Sequence, residues 1–283
     1  VGRNLRWRNK KHITMKTAYT ANGTFPGTPL VGDDSFAKLY HYTNLDSFIK
    51  IWENQTLKFG VISGVNDINE YSKRISTSLY NGTLIEIGQR IRIAVEIINS
   101  YKQISFTKDY DSYIKGCMSP MMWGHYGAKG KGVCIELDYN KIHFDDKMYR
   151  KSIIYSNLIK NTIEVPILVN DKSTIEEYII KELDNIFFTK TSDWIGENEF
   201  RVVSNKHDFL DISNAIINIY VTMCDSNTCL EVEKLVNNQV PVSFLHYIGT
   251  GNGWRLPVLT DTKSAREQEL KSRNNKNNVL NLI

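Results

Sequence analysis

The stretch "WIGENEFRVV" carries Glu197, Glu199 and Arg201 at intervals of two residues. On an extended strand that period turns all three side chains to one face. Strands disfavour glutamate, and adjacent carboxylates repel, so the pattern needs a reason. Two are open. The row is a solvent-facing edge laced by Arg201 and nearby lysines, or it is a carboxylate pair facing an electron-poor substrate. In the second case one acid binds hydroxyls and the other handles a proton.

Three other stretches hold more polar and aromatic groups than a core needs. In "YHYT", His41, Tyr42 and Thr43 close an apolar run just before an amphipathic segment. His41 is either a satisfied core histidine or a ring that reads a ribose hydroxyl or an amide. "SFT" centres on Phe106, and "MMWGHYG" sets Trp123, His125 and Tyr126 among glycines. That segment is an aromatic core face or a stacking surface for nicotinamide or a nucleobase. "VNDINE" reads as an Asx turn or a pocket rim. Asp67 and Glu70 could join Glu197 and Glu199 around a metal, which keeps a metal-dependent nuclease as a rival.

Other schemes fare worse. No Gly-x-Ser-x-Gly elbow exists for a serine hydrolase. Cys224 and Cys229 have no second Cys/His pair to complete four ligands, so no metal is expected. Cys117 and Cys134 remain possible nucleophiles, although Cys134 lies inside the strand-like "GVCIELD" and should be buried and inert.

The elements that must position these residues follow from periodicity. "FAKLYHY" reads as a strand, and Asn44 or Thr43 caps a helix with Leu45, Phe48, Ile49 and Trp52 on one face. "LKFGVI", "QISFT", "GVCIELD", "KSIIYS", "NEFRVVS" and "IINIYVTM" read as strands. Thr83 and Glu86 form a capping box ahead of a helical stripe of Ile87, Ile91, Val95 and Ile98. Ser173 and Glu176 repeat that pattern with Ile175, Ile179 and Ile186, Pro120 opens a helix, and "CLEVEKLVNN" is a short one. No regular βαβ rhythm or Gly-rich phosphate loop is present, which predicts an α+β fold rather than a doubly wound one.

At 283 residues with 41% hydrophobic content, the chain can bury one large core. A flexible basic and polar arm is expected over 1–35, a single domain over 36–263 and a polar tail over 264–283. The net charge of +4 names no partner, but the first twelve residues hold five Lys or Arg and no acid. They are a solvated extension or an arm that touches phosphates. No window of about 18 apolar residues and no secretory signal is found, so a cytoplasmic location without membrane contact is expected.

The set "YHYT", "NDINE", "SFT", "MMWGHYGAKGKGVCIELD" and "WIGENEFRVV" resembles a bacterial family carrying Trp-x-His-Tyr, Gly-Val-Cys-Ile-Glu and Trp-x-x-Glu-x-Glu-x-Arg. That family is similar to the ADP-ribosyltransferase superfamily, including its DNA-modifying toxins. The resemblance implies a split β-sandwich with flanking helices that binds NAD, as substrate, in a cleft between two small sheets. It implies that His41 contacts the adenosine ribose, with Tyr42 and Thr43 on the nicotinamide side. Phe106 stands where many members carry the stacking Tyr; Tyr126, Trp123 and His125 are the other aromatic candidates. Glu199 matches the glutamate on the nicotinamide ribose, Glu197 stands where some members carry a second acid, and Arg201 extends the row. The implied activity is transfer of ADP-ribose, without a metal, to a nucleic acid (RNA or DNA) ahead of a protein, in a toxin or phage-defence role with a possible antitoxin. An NAD glycohydrolase is an enzymatic alternative, and a nucleotide-binding module without transfer is the non-enzymatic one.

Overall fold

A computed structural model describes residues 37–64, 67, 74–76, 83–157, 162–164, 171–222, 226–249 and 255–261. The expected arm, the polar tail and most of "VNDINE" lie outside them, as do Glu70 and Cys224. In chain order the first strands are β1 (Lys38–Thr43), β2 (Thr56–Lys58), β3 (Gly60–Val61), β4 (Arg74–Ser76), β5 (Lys102–Thr107), β6 (Val133–Asp138), β7 (Tyr149–Ser152) and β8 (Ile154–Ser156). They are followed by β9 (Thr162–Glu164), β10 (Thr189–Thr191), β11 (Glu199–Ser204), β12 (Phe209–Asp211), β13 (Ile216–Thr222), β14 (Val242–Gly249) and β15 (Arg255–Asp261). Helices alternate irregularly with them, so the fold is α+β.

The main sheet runs β15-β14-β13-β6-β1-β5-β11-β7, with β3 added to β5. Its strands are not joined equally. β1 follows β6 through six residue pairs, and β11 follows β5 through six, but β1 and β5 share one, Tyr40 with Thr107. Beyond that pair the same edge of β5 is taken by β3, with Gly60 opposite Gln103 and Val61 opposite Lys102. The sheet therefore opens between β1 and β5, and the opening faces Ser105.

The helices that hold this frame form for local reasons. Leu45–Asn54 starts on Asn44, whose side chain accepts from the Ser47 amide at 2.8 Å, and buries Phe48 and Ile51 against the sheet. Leu84–Ser100 opens on the expected capping box: the Thr83 amide donates to Glu86 and the Glu86 amide donates to the Thr83 hydroxyl. Its buried line is Ile87, Arg90, Ala94, Ile97 and Ile98; Ile87 and Ile98 stand as expected, while Ile91 is half-buried and Val95 faces outward. The segment expected to be capped by Ser173 starts instead from Asp171, whose carboxylate accepts from the Thr174 amide at 2.9 Å. It breaks at Glu182 into helices Lys172–Lys181 and Leu183–Phe187.

Two sequence segments divide differently from expectation. "LKFGVI" splits into β2, paired with β12, and β3, paired with β5. "KSIIYS" splits into β7 on β11 and β8 on β10. Strands β14 and β15 extend the sheet beyond the elements read from periodicity. Among the described residues, no helix is long and apolar enough to cross a membrane.

Candidate functional site

The row Glu197, Glu199, Arg201 is not one pleated face. Glu197 ends a 3₁₀ turn over Ser192–Glu197, Asn198 follows in the left-handed conformation at φ 45°, and β11 begins at Glu199. Asparagine tolerates that conformation better than most side-chain-bearing residues. Its carboxamide donates to the Asp109 carbonyl at 2.9 Å, and its own carbonyl accepts from the Lys108 amide at 3.0 Å. This reversal, not the period of a strand, brings both acids to one place. The solvent-edge explanation fails as well: β11 lies between β5 and β7, and both carboxylates are at most 3% exposed.

Lys190 on β10 joins the two acids. Its ammonium lies 2.6 Å from Glu197 Oε2 and 2.8 Å from Glu199 Oε2, with the side chain buried. Arg201 grips Glu199 at two points, Nε to Oε1 at 2.7 Å and Nη2 to Oε2 at 3.0 Å, and donates through Nη1 to the Phe187 carbonyl. The free oxygen of Glu197 accepts from the Tyr126 hydroxyl at 2.5 Å. Two acids and two cations thus offset one another in a site where unpaired charges would be costly.

Their proton affinities diverge. Burial raises the pKa of Glu197, and the field of Glu199 adds to it; Lys190 and Tyr126 oppose without reversing the shift. Burial pushes Glu199 the same way, but Arg201 and then Lys190 outweigh it and bring its pKa down to about 2. Paired acids with opposed environments are how one site keeps a permanent anion beside a proton-handling group.

A cleft of about 440 Å³ opens over this cluster, within the size range of small-molecule sites. Glu197, Glu199, Arg201, Lys190, Tyr126 and His125 line one part of it. His41 lines it from β1, where the sheet opens. Its Nδ1 donates to the Ser105 carbonyl at 3.2 Å. Because a carbonyl only accepts, that bond fixes the proton on Nδ1, and burial lowers the imidazole pKa against the opposing effect of the Ser105 bond. The neutral ring keeps Nε2 as an acceptor. Thr107, cross-strand partner of Glu199, also lines the cleft; its buried hydroxyl oxygen has no hydrogen-bond partner among the described residues.

The other expected contacts are placed less directly. Tyr42 borders the cleft, but its hydroxyl donates to the Gly116 carbonyl at 2.6 Å and its ring meets Trp123 edge-on at 5.1 Å. Trp123 is a core residue outside the cleft lining, with its indole N–H on the Cys117 carbonyl at 2.8 Å. Thr43 is buried beside Val133 and also outside it. Phe106 pairs with Phe200 on the face opposite Glu199 and belongs to the apolar core; it meets the cleft beside His41, ring centroids 5.9 Å apart. Glu136 of "GVCIELD" is absorbed structurally, accepting from the Tyr220 hydroxyl and pairing as an ion with the Lys38 ammonium. Cys134 is buried with its thiol pKa raised by burial, which suits an inert core thiol. Asp67 is buried but outside the cleft lining.

Sequence reasoning passed over Lys190, Asn198 and Thr107. Lys190 carried one faint signal, a lysine in "FTKTSDW" shortly before two acids that need a counter-charge.

Residues 122–202 match the family described as a protein of unknown function, DUF2971. The chain is similar to that family over the part that holds Met122, His125, Tyr126, Lys190, Glu197, Glu199 and Arg201, all of them cleft residues. His41 and the strand β5 lie before the matched segment. No curated protein and no solved structure matches the chain.

Proposed function

We propose that this protein is an ADP-ribosyltransferase that consumes NAD and transfers ADP-ribose to a macromolecule. The observation that carries the reading is that His41 and Glu199, from strands on either side of β5, line one cleft where the sheet opens. The weak join of β1 to β5, one residue pair within a nine-stranded sheet, is compatible with a split β-sandwich, and the motif resemblance supports the reading.

The chemistry suits the two acids. Breaking the bond between ribose C1′ and the nicotinamide nitrogen leaves the electron pair on nicotinamide and positive charge on the ribose. Glu199, anionic and fixed, stabilises that charge. Glu197, with its raised pKa, accepts the proton of the attacking acceptor group. The Nε2 acceptor of His41 takes a ribose hydroxyl, and Tyr126 keeps Glu197 oriented. Nucleic acid is the favoured acceptor because of the basic first twelve residues and the likeness to DNA-modifying toxins. A cytoplasmic toxin or phage-defence role, with an antitoxin as partner, completes the proposal.

One observation favours a second reading. Both oxygens of Glu199 are held by Arg201 or Lys190, which mutes its charge and suits a module that binds a nucleotide without cleaving it. Incubation with labelled NAD and mixed RNA, DNA or protein, with and without chelator, separates the readings. Transfer of label with nicotinamide release is the expected result. Binding without release favours the module, and no response to NAD sinks both.

A further inference from the structure

The cleft continues past His41 to a region that the transfer chemistry does not use. Gln103, Ser105 and Thr107 alternate on β5 with Ile104 and Phe106, so they share the face that carries Glu199 and Arg201. Thr107 is level with Glu199, and Gln103 is four residues away, a separation of roughly 13 Å at the usual rise of a strand. Lys58, Gly60 and Val61 line the cleft there with Gln103.

Gln103 is 8% exposed, and its buried carboxamide oxygen has no hydrogen-bond partner among the described residues. Leaving such an acceptor unpaired is unfavourable unless a ligand completes it. Gly60 lies directly opposite Gln103 and adds no side chain over the carboxamide, while Val61, opposite Lys102, turns to the other face of the sheet. Lys58 sets a cation at the rim. An edge with one donor and one acceptor beside a nearby cation matches a flat base attached to a phosphate. Glutamine pairs in this two-point way with the N6 and N7 edge of adenine.

We propose that Gln103 and Lys58 form a second subsite that reads the adenine end of the substrate. It rests on the NAD reading for the identity of that substrate. Lys58 meets the phosphates and Gln103 the base edge. A molecule that reaches both this end and Glu199 must span two nucleoside units.

The test is calorimetric titration of the full chain with NAD, AMP and nicotinamide mononucleotide, for the wild type and Gln103→Met. The variant should weaken AMP and NAD about tenfold or more, as loss of a two-point base contact does, and leave nicotinamide mononucleotide unchanged. Lys58→Glu, at an exposed position that tolerates substitution, should weaken AMP through charge repulsion and again spare nicotinamide mononucleotide. Unaltered AMP affinity in both variants, equal weakening of all three ligands, or no AMP binding by the wild type would overturn the proposal. Nicotinamide release is followed in parallel. Release that persists with AMP affinity indifferent to Gln103 removes the subsite and leaves the transferase. Gln103-dependent AMP binding without release keeps the subsite and removes the transferase.

Discussion

Glu199 and Arg201, two residues apart on β11, form a two-point ion pair of 2.7 and 3.0 Å with both side chains buried. The pair makes Glu199 a fixed anion rather than an acid that trades protons, and it ties the carboxylate to the wall of the cleft.

Glu199→Gln should lower nicotinamide release by on the order of a hundredfold or more, the usual cost of removing a positioned electrostatic group. NAD affinity, read by titration, should change far less, because the charge acts on the developing cation. Wild-type release from this variant would refute the assignment.

Lys190→Met leaves Glu197 and Glu199 facing each other without their shared cation. Removing one partner of a buried ion pair typically costs about 3–5 kcal/mol, which denaturant unfolding would register. The acid limb of the pH–rate profile should also move to higher pH, since Lys190 is what opposes the upward shift of Glu197. Lys190→Arg should recover part of both.

The two acids predict opposite pH effects on stability. Glu199 has a folded pKa below its ordinary value of 4.5, so its contribution is complete above pH 4.5 and is lost as the pH falls towards about 2. Glu197 has a raised folded pKa, so its contribution is complete below 4.5 and is lost as the pH rises through the folded value. Denaturation between pH 2 and 5 should therefore show a flatter acid limb for Glu199→Gln than for the wild type. Glu197→Gln should gain on the wild type as the pH rises; parallel curves would contradict the opposed environments.

Asn198→Val forces a β-branched residue into the left-handed conformation and removes the carboxamide bond to Asp109. Strain of this kind costs about 1–3 kcal/mol. Nicotinamide release should fall with it, because the turn sets Glu197 against Lys190, and Asn198→Gly should restore more activity than stability.

Trp123→Ala should cost about 3–5 kcal/mol, as for other buried aromatics. The fraction that stays folded should bind NAD as before, since Trp123 lies outside the cleft lining.

Much of the frame was legible in the sequence because it rests on local rules. Asn44, the Thr83 capping box and the Ile175 and Ile179 stripe each act within a few residues. One misreading came where competing local signals were close in strength: Asp171 outcompeted Ser173 as a cap. The spacing of Glu197 and Glu199 announced two acids that come together, as they do on Lys190. It attributed their meeting to a strand, whereas a left-handed asparagine makes it.

By itself the sequence determined the α+β character, the main strands and helices, and the residues worth testing as acids and aromatics. Periodicity and capping report which face a residue turns inward, and those are nearest-neighbour effects. Tertiary structure alone decided that the sheet opens between β1 and β5, that Lys190 bridges the acids, and that Trp123 is core while Gln103 meets the cleft. Each of these depends on segments far apart in the chain, and burial and electrostatic pairing are set by what folds against a residue rather than by its neighbours in sequence.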